Sequence, residues 1–501
     1  MTRADPPPTD AETLEAVLKA AAMAARPCAS SNPAHRAVQL RAIADRLAGA
    51  ADDLVGQAGA ETHLAEGRLR SELDRTTFQL RLFGQVLEEG EFLDVTLDRA
   101  DANWPPGPRP DLRRMLRPVG PVLVFAAGNF PFAFSVAGAD TTSALAAGCP
   151  VVLKAHPGHR RLSELVGHLV TAALRSAGAP HGSFAVIYGD EAGRVALCDE
   201  RITAASFTGS SKVGRMLFDL ANSRPVPIPF YGEMGSLNPV FVTRSALARR
   251  RSEILDGFVK SFTVGAGQFC TKPGVLVVPE GQGVIEDLVN LVLDLPSFSL
   301  LSADINRRYA WQLEALLAHP AVTASPERRA GGDLDQFPTL LATTASDLLA
   351  HRDEMMVECF GPASLIVTYT SDAQLMAVAT SFSGQLTATV HAEEDDPVAE
   401  SLLEALADRV GRLLWNQWPT GVSVTWAMQH GGPYPATTAP GYTSVGPAAI
   451  ARFLRPITYQ SVPASLLPAS LRDDNPLGLP RRVDGQRGGF QVATDPESGE
   501  I

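Results

Sequence analysis

Cys270 stands behind two glycines and ahead of a proline, in Ser261-Phe-Thr-Val-Gly-Ala-Gly-Gln-Phe-Cys270-Thr-Lys-Pro-Gly274. A lone cysteine is more often a small buried hydrophobe than a nucleophile. The glycines change that reading, because they let backbone approach a ligand closely and free amide groups to face a developing oxyanion. Glu233 lies 37 residues upstream, in Phe230-Tyr-Gly-Glu233-Met-Gly-Ser-Leu-Asn-Pro239. A carboxylate between glycines is either a solvated turn residue or a base poised above a cleft. Gly209-Ser-Ser-Lys-Val-Gly214 falls between a predicted strand and a predicted helix, where free amides can receive phosphate. It has the glycine spacing of a P-loop, but Arg215-Met216 stands where Lys-Ser/Thr is required, which excludes that ATPase motif.

These residues need elements to hold them. From Pro121 onward, strands and helices alternate: Val122–Ala126, Val151–Lys154, Phe184–Tyr188 and Thr203–Phe207 read as strands. Ser135–Ala147, Arg161–Ser176, Glu191–Leu197 and Val213–Ala221 read as the helices between them. Such alternation implies right-handed crossovers and a doubly wound parallel sheet. A second α/β region runs from about Asn238 to Ala427, with helices at 254–263 and 285–293 and strands at 275–278, 365–369 and 388–391. Ahead of both, residues 10–90 read as helices: Ala11–Ala25, His35–Ala48 and a run from Leu54 to Leu87, in one piece or several. The Pro- and charge-rich stretch after Leu97 reads as an arm rather than a core element, and the tail after Arg455 as a strand or arm with a mobile end.

At 501 residues the chain calls for two or three domains. Its 55 acidic against 43 basic side chains would repel a phosphate backbone, so no nucleic-acid partner is expected. The N-terminus has no secretory pattern, and the apolar stretch 119–134 is broken by Gly128, Asn129 and Pro131, so no membrane span is expected. Five scattered cysteines have neither zinc spacing nor a disulfide framework. The expectation is a cytoplasmic protein with reduced thiols and no metal, with Cys149 and Cys198 as inert core.

Five segments together resemble the aldehyde dehydrogenase superfamily: Asn129-Phe-Pro131, Phe207-Thr-Gly-Ser210, Glu233-Met-Gly, Gly267-Gln-Phe-Cys270 and Glu358-Cys-Phe360-Gly-Pro362. They occur in that family's order and at its separations. The resemblance implies that Cys270 attacks an aldehyde, that Asn129 and the Cys270 amide hold the oxyanion, and that Glu233 activates water against the thioester. It also implies a NADP or NAD site with Lys154 on the adenosine ribose, Gly209 and Ser210 at the phosphates, Glu358 on the nicotinamide ribose and Phe360 beside it. Pro157 occupies the position where many NAD-preferring relatives carry a glutamate. With His156 and Arg194 nearby in sequence, NADP is the expected preference.

The implied fold is a Rossmann-type nucleotide domain (1–237, with 95–117 as a bridging arm) and an α/β catalytic domain (238–430). Residues 431–501 then return to the nucleotide domain and supply a small bridging element for a homodimer or homotetramer. The finer likeness is to the α-ketoglutarate semialdehyde (2,5-dioxopentanoate) dehydrogenases, on segments such as Lys154-Ala-His-Pro157 and His430-Gly-Gly-Pro-Tyr-Pro-Ala-Thr-Thr438. Alternatives are a broad or long-chain aldehyde dehydrogenase and a catalytically silent relative. Lys272 departs from that branch's usual asparagine, and reads as a solvent lysine or a cation acting on Cys270. Gly128 replaces the usual tryptophan before Asn129, and His430 reads as a turn residue. Trp415, Trp418 and Trp426 read equally as substrate-tunnel wall or as core.

Overall fold

The computed structural model describes residues 4–325 and 334–487. Among them stands a five-stranded, wholly parallel sheet in the order Phe184–Ile187, Val151–Lys154, Val122–Phe125, Ala204–Thr208, Phe230–Glu233. Its central strands Val-Leu-Val-Phe and Val-Val-Leu-Lys are buried along their whole length, as a sheet covered by helices on both faces requires. The polar residue at the end of Val151–Lys154 and the carboxylate at the end of Phe230–Glu233 therefore emerge together at the carboxyl edge, where open α/β sheets bind ligands.

A seven-stranded sheet follows. Six of its strands are parallel: Thr339–Thr344, Ala363–Tyr369, Val275–Pro279, Val240–Val242, Gln385–His391 and Val410–Trp415. Thr323–Ser325 closes one edge antiparallel. Its helical cover includes Arg244–Thr263, whose last turn runs directly into the Cys270 segment.

One open reading resolves, and two expectations need correction. The run from Leu54 to Leu87 divides at His63, which takes a left-handed φ of 58°, into helices Ala51–Thr62 and Glu66–Glu89. The helix expected from Ser135 begins only at Ala139, because 130–138 fold as tight turns, with Ala139 N donating to Ala133 O at 2.9 Å. Third, the stretch read as lacking core is part of a five-stranded sheet, in the order Leu454–Gln460, Leu112–Pro118, Val95–Asp98, Arg481–Val483, Gln486–Arg487. It has its own apolar cluster of Val95, Leu97, Met115, Leu467 and Leu471. These partners are 350 residues apart in the chain, so a local reading of the arm could not see them. The mobile end expected of the tail falls, for 488–501, outside the described residues. Among those described, no helix is long and apolar enough to cross a membrane.

Candidate active site

The Cys270 loop is held from three sides. Gly265 and Ala266 both take left-handed φ, 59° and 58°, which ends the helix and turns the chain back. Gly267 (φ 68°) packs so tightly on Gly361 that a Cβ would lie 2.2 Å from its carbonyl oxygen. Asn238, itself at φ 47°, donates from Nδ2 to the carbonyls of Cys270 (2.8 Å) and Lys272 (2.9 Å). Asn129 approaches from the first sheet and donates from Nδ2 to Gln268 O at 3.0 Å. The structure thus brings Asn129 beside the Cys270 loop.

Glu233 and Cys270 share a third neighbour. His430 Nε2 lies 3.5 Å from Cys270 Sγ and 3.0 Å from Glu233 Oε1, and its side chain is 1% exposed. Ser444 Oγ donates a short hydrogen bond to Glu233 Oε2. This corrects the reading of His430 as a turn residue. The turn exists, but the ring is carried inward by a segment that lies along the first sheet's last strand, with Met234 N donating to Ala436 O at 2.8 Å and Gly232 N to Thr438 Oγ1 at 2.8 Å.

The electrostatics follow from burial. Loss of solvent, with the facing Glu233 carboxylate next in weight, pushes the Cys270 thiol well above its ordinary value; Arg75 acts in the opposite sense. Burial alone would raise the Glu233 carboxyl too. The charge of a protonated His430, its hydrogen bond and those of Ser444 and Cys270 prevail, and hold it below the usual carboxylate range. Thiol, carboxylate, imidazole and amide thus converge where a carbonyl could be attacked and a water deprotonated.

Where the family resemblance expects the nucleotide, Ser210 is the N-cap of helix Ser211–Asn222 and makes no side-chain cap bond, leaving amides of the first turn free. Gly209 N donates to Glu233 O at 3.1 Å, which ties this turn to the chemistry. Lys154 Nζ lies 2.5 Å from Asp190 Oδ1, while Arg194, one turn along the same helix, pairs with Glu191 at 3.2 Å. His156 packs on Gly128, where a Cβ would meet its ring at 2.6 Å; that contact excludes any larger residue before Asn129. Glu358 lies over Gly235, which has no room for a side chain, and burial pushes its carboxyl up to about 7 against the pull of Lys272. Phe360, two residues on, is half-buried.

Lys272 points neither to solvent nor at the thiol. It is 3% exposed, and its Nζ donates to the carbonyls of Cys359 (2.7 Å), Gly361 (3.3 Å) and Ala363 (2.7 Å). It therefore fastens the segment carrying Glu358 and Phe360 to the segment carrying Cys270. Cys149 is buried as expected, whereas Cys198, at the end of its helix, is exposed. Trp418 lies 5.9 Å from Phe258 and 4.7 Å from His391, Trp415 packs against the second sheet's core, and Trp426 is exposed. Sequence reading missed Ser444 and Asn238, and did not place the His430 ring beside Cys270 and Glu233. The one available signal was the density of glycine and small polar residues around His430, which marks close backbone packing.

Residues 2–296 match the aldehyde dehydrogenase family. The chain is 44% identical over 468 residues to alpha-ketoglutaric semialdehyde dehydrogenase 2 of Azospirillum brasilense, spanning 90% of this chain and 87% of the relative. It is 42% identical over 456 residues to the alpha-ketoglutaric semialdehyde dehydrogenase of Acinetobacter baylyi, spanning 90% and 86%. Among solved structures, betaine aldehyde dehydrogenase of Staphylococcus aureus in complex with NAD+ superposes with a TM-score of 0.76 at 18% identity, covering 89% of this chain and 86% of that one. An NAD-dependent aldehyde dehydrogenase of Sinorhizobium meliloti gives 0.75 at 22%, covering 91% and 89%. At such identities the structural likeness is one of fold.

Proposed function

The chain belongs to the aldehyde dehydrogenase family, and we propose that it oxidises α-ketoglutaric semialdehyde to α-ketoglutarate with NAD(P)+, through a thioester on Cys270. The observation that carries this is the convergence of Cys270, Glu233 and His430, with Asn129 beside them, in a chain so close to two enzymes of that name. Residues at the carboxyl edge of the first sheet fit a dinucleotide. Free amides at Ser210 suit its phosphates, Lys154 and Glu358 suit ribose hydroxyls, and the glycines at 209 and 235 let Phe207 and Glu358 pack against the backbone. The bound dinucleotide supplies the hydride acceptor.

The chain's own groups do the rest. Cys270 rests as a thiol, so its proton must leave as the sulfur attacks the aldehyde carbon, passing to the hydrogen-bonded Glu233–His430 pair beside it. The side-chain amide of Asn129 and the backbone amide of Cys270 face the oxygen that becomes negative. Glu233, kept ionised by His430 and Ser444, then takes a proton from the water that attacks the thioester carbonyl; the C–S bond breaks and the sulfur leaves.

Cofactor preference turns on Lys154. NADP is the preferred cofactor on the reading that Pro157 removes the usual repelling carboxylate and that Arg194 adds charge. Asp190 opposes it, since a 2′-phosphate must displace that carboxylate from Lys154. Self-association into a dimer or tetramer would use the sheet that ends in the edge strand Leu454–Gln460.

Steady-state formation of NADPH and NADH with α-ketoglutaric semialdehyde, succinic semialdehyde and hexanal tests both points. The expected result is a clear preference for the first aldehyde, and for NADP. Equal or better turnover of hexanal would overturn the substrate assignment, and a far lower kcat/KM with NADP than with NAD would overturn the cofactor preference.

A further inference from the structure

Helix Glu66–Glu89 carries Arg68, Glu72 and Arg75 at positions i, i+4 and i+7, hence on one face over about two turns. Leu69, Leu73 and Leu80 bury the same helix into the first domain's core, so this charged group is pressed against the site rather than solvated. The Arg68 guanidinium carbon lies 4.8 Å from the ring centre of Phe269 and 5.2 Å from that of Phe130, and its Nη2 donates to Asn129 O at 2.7 Å. Phe269 and Phe130 directly adjoin Cys270 and Asn129. Arg75 lies 5.3 Å from the ring centre of Phe134, which stands 6.3 Å from that of His430.

Neither cation has a contact ion pair among the described residues. Arg75 has no hydrogen bond or ion pair among the described residues and its Nε is buried without a partner, as are Nε and Nη1 of Arg68. Glu72 forms no contact ion pair with either arginine among the described residues: its Oε1 accepts from the amides of Phe132 (2.8 Å) and Ala133 (2.9 Å), and its Oε2 is buried without a partner. Burial lowers both guanidinium values, and the charge of Glu72, together with Glu233 for Arg75, offsets this only in part. Withdrawing a guanidinium from water without an acceptor is costly, and its planar donor fork matches a carboxylate.

We propose that Arg75, flanked by Arg68, receives the carboxylate at the far end of an acidic aldehyde, and that this pairing selects a semialdehyde of a 2-oxo acid over a neutral aldehyde. The assignment rests on the substrate reading above. Phe130 and Phe269 flank Arg68 and Phe134 flanks Arg75, so an anion reaching them would pair in poorly hydrated surroundings while its aldehyde end points to Cys270.

The test is the ratio of kcat/KM for α-ketoglutaric semialdehyde to that for pentanal, a neutral aldehyde of equal chain length, in wild type, Arg75→Gln and Arg75→Lys. Loss of a charged hydrogen-bonded pair should lower that ratio by about 10- to 100-fold in Arg75→Gln, chiefly through KM for the acid. Arg75→Lys keeps the charge without the fork and should recover part of it. If Arg75→Gln depresses both substrates alike, or leaves the ratio unchanged, Arg75 only supports the fold and the proposal is overturned. A wild type without preference for the acid would instead remove the substrate reading itself.

Discussion

The two ends of the cleft are built on opposite terms. At the thiol end polar side chains are held by one another: Glu233 by His430 and Ser444, Asn129 by Gln268, and Lys272 by three carbonyls. At the nucleotide end, Lys154 leans on an Asp190 side chain that is 84% exposed, Arg194 pairs with Glu191 in water, and Ser210 caps its helix with no side-chain bond. Where covalent bonds are to be made and broken, position is fixed in advance; where a large flexible cofactor must come and go, the partners can be exchanged. Damage at the first end should therefore appear mainly in kcat, and at the second in KM for the cofactor.

Glu233→Gln should break the thiol end hardest. It should lower kcat by about 10²- to 10⁴-fold, yet leave a rapid first turnover of reduced cofactor in stopped flow, since only thioester hydrolysis has lost its base. A variant without that burst would move Glu233 to an earlier step. His430→Gln should cost less, about 10- to 100-fold in kcat, and should also shift the pH profile. The charge on His430 helps hold the Glu233 carboxyl low, so its removal lets that value rise, and the acid limb of kcat must move to higher pH. An unmoved limb would leave His430 a merely structural neighbour.

Lys272→Met sharpens the contrast, because this residue joins the two ends. KM for the cofactor should rise about tenfold as the Glu358 segment loosens, with a smaller change in kcat. The pH dependence of that KM checks the same link. Glu358 keeps its proton up to about 7, above the ordinary carboxylate range, so its ionised form, the better acceptor for ribose hydroxyls, gains as pH rises through about 7. Cofactor KM should fall across that range in the wild type. Without Lys272, which favours the ionised form, the fall should come at still higher pH. An unchanged KM would mean that Lys272 serves stability alone.

Much of this was legible from the chain itself. The first sheet's strands announce themselves as short apolar runs between helical periods, and Cys270, Glu233 and Asn129 each lie within a few residues of glycine in segments that match a family pattern. What escaped has a common cause. His430 and Ser444 meet Glu233 only because a distant return segment pairs with the strand end at Glu233, and the isolated bridge between Glu233 and Thr437 has no local signature. Lys272 looked exposed because lysines usually are; its acceptors lie about ninety residues further on. Likewise, Cys198 was read from its apolar neighbours in sequence, although its position at a helix end turns it outward.

That return segment also sets an order in time. Cys270 and His430 are separated by 160 residues, and Glu233 and Ser444 by 211. At a synthesis rate of roughly 5–20 residues per second, the thiol emerges roughly 8 to 32 s before its imidazole neighbour. Through that interval the chain has neither the His430 imidazole nor the Ser444 hydroxyl, so the constellation around Cys270 and Glu233 cannot yet assemble. The site is completed last, with the closing of that segment.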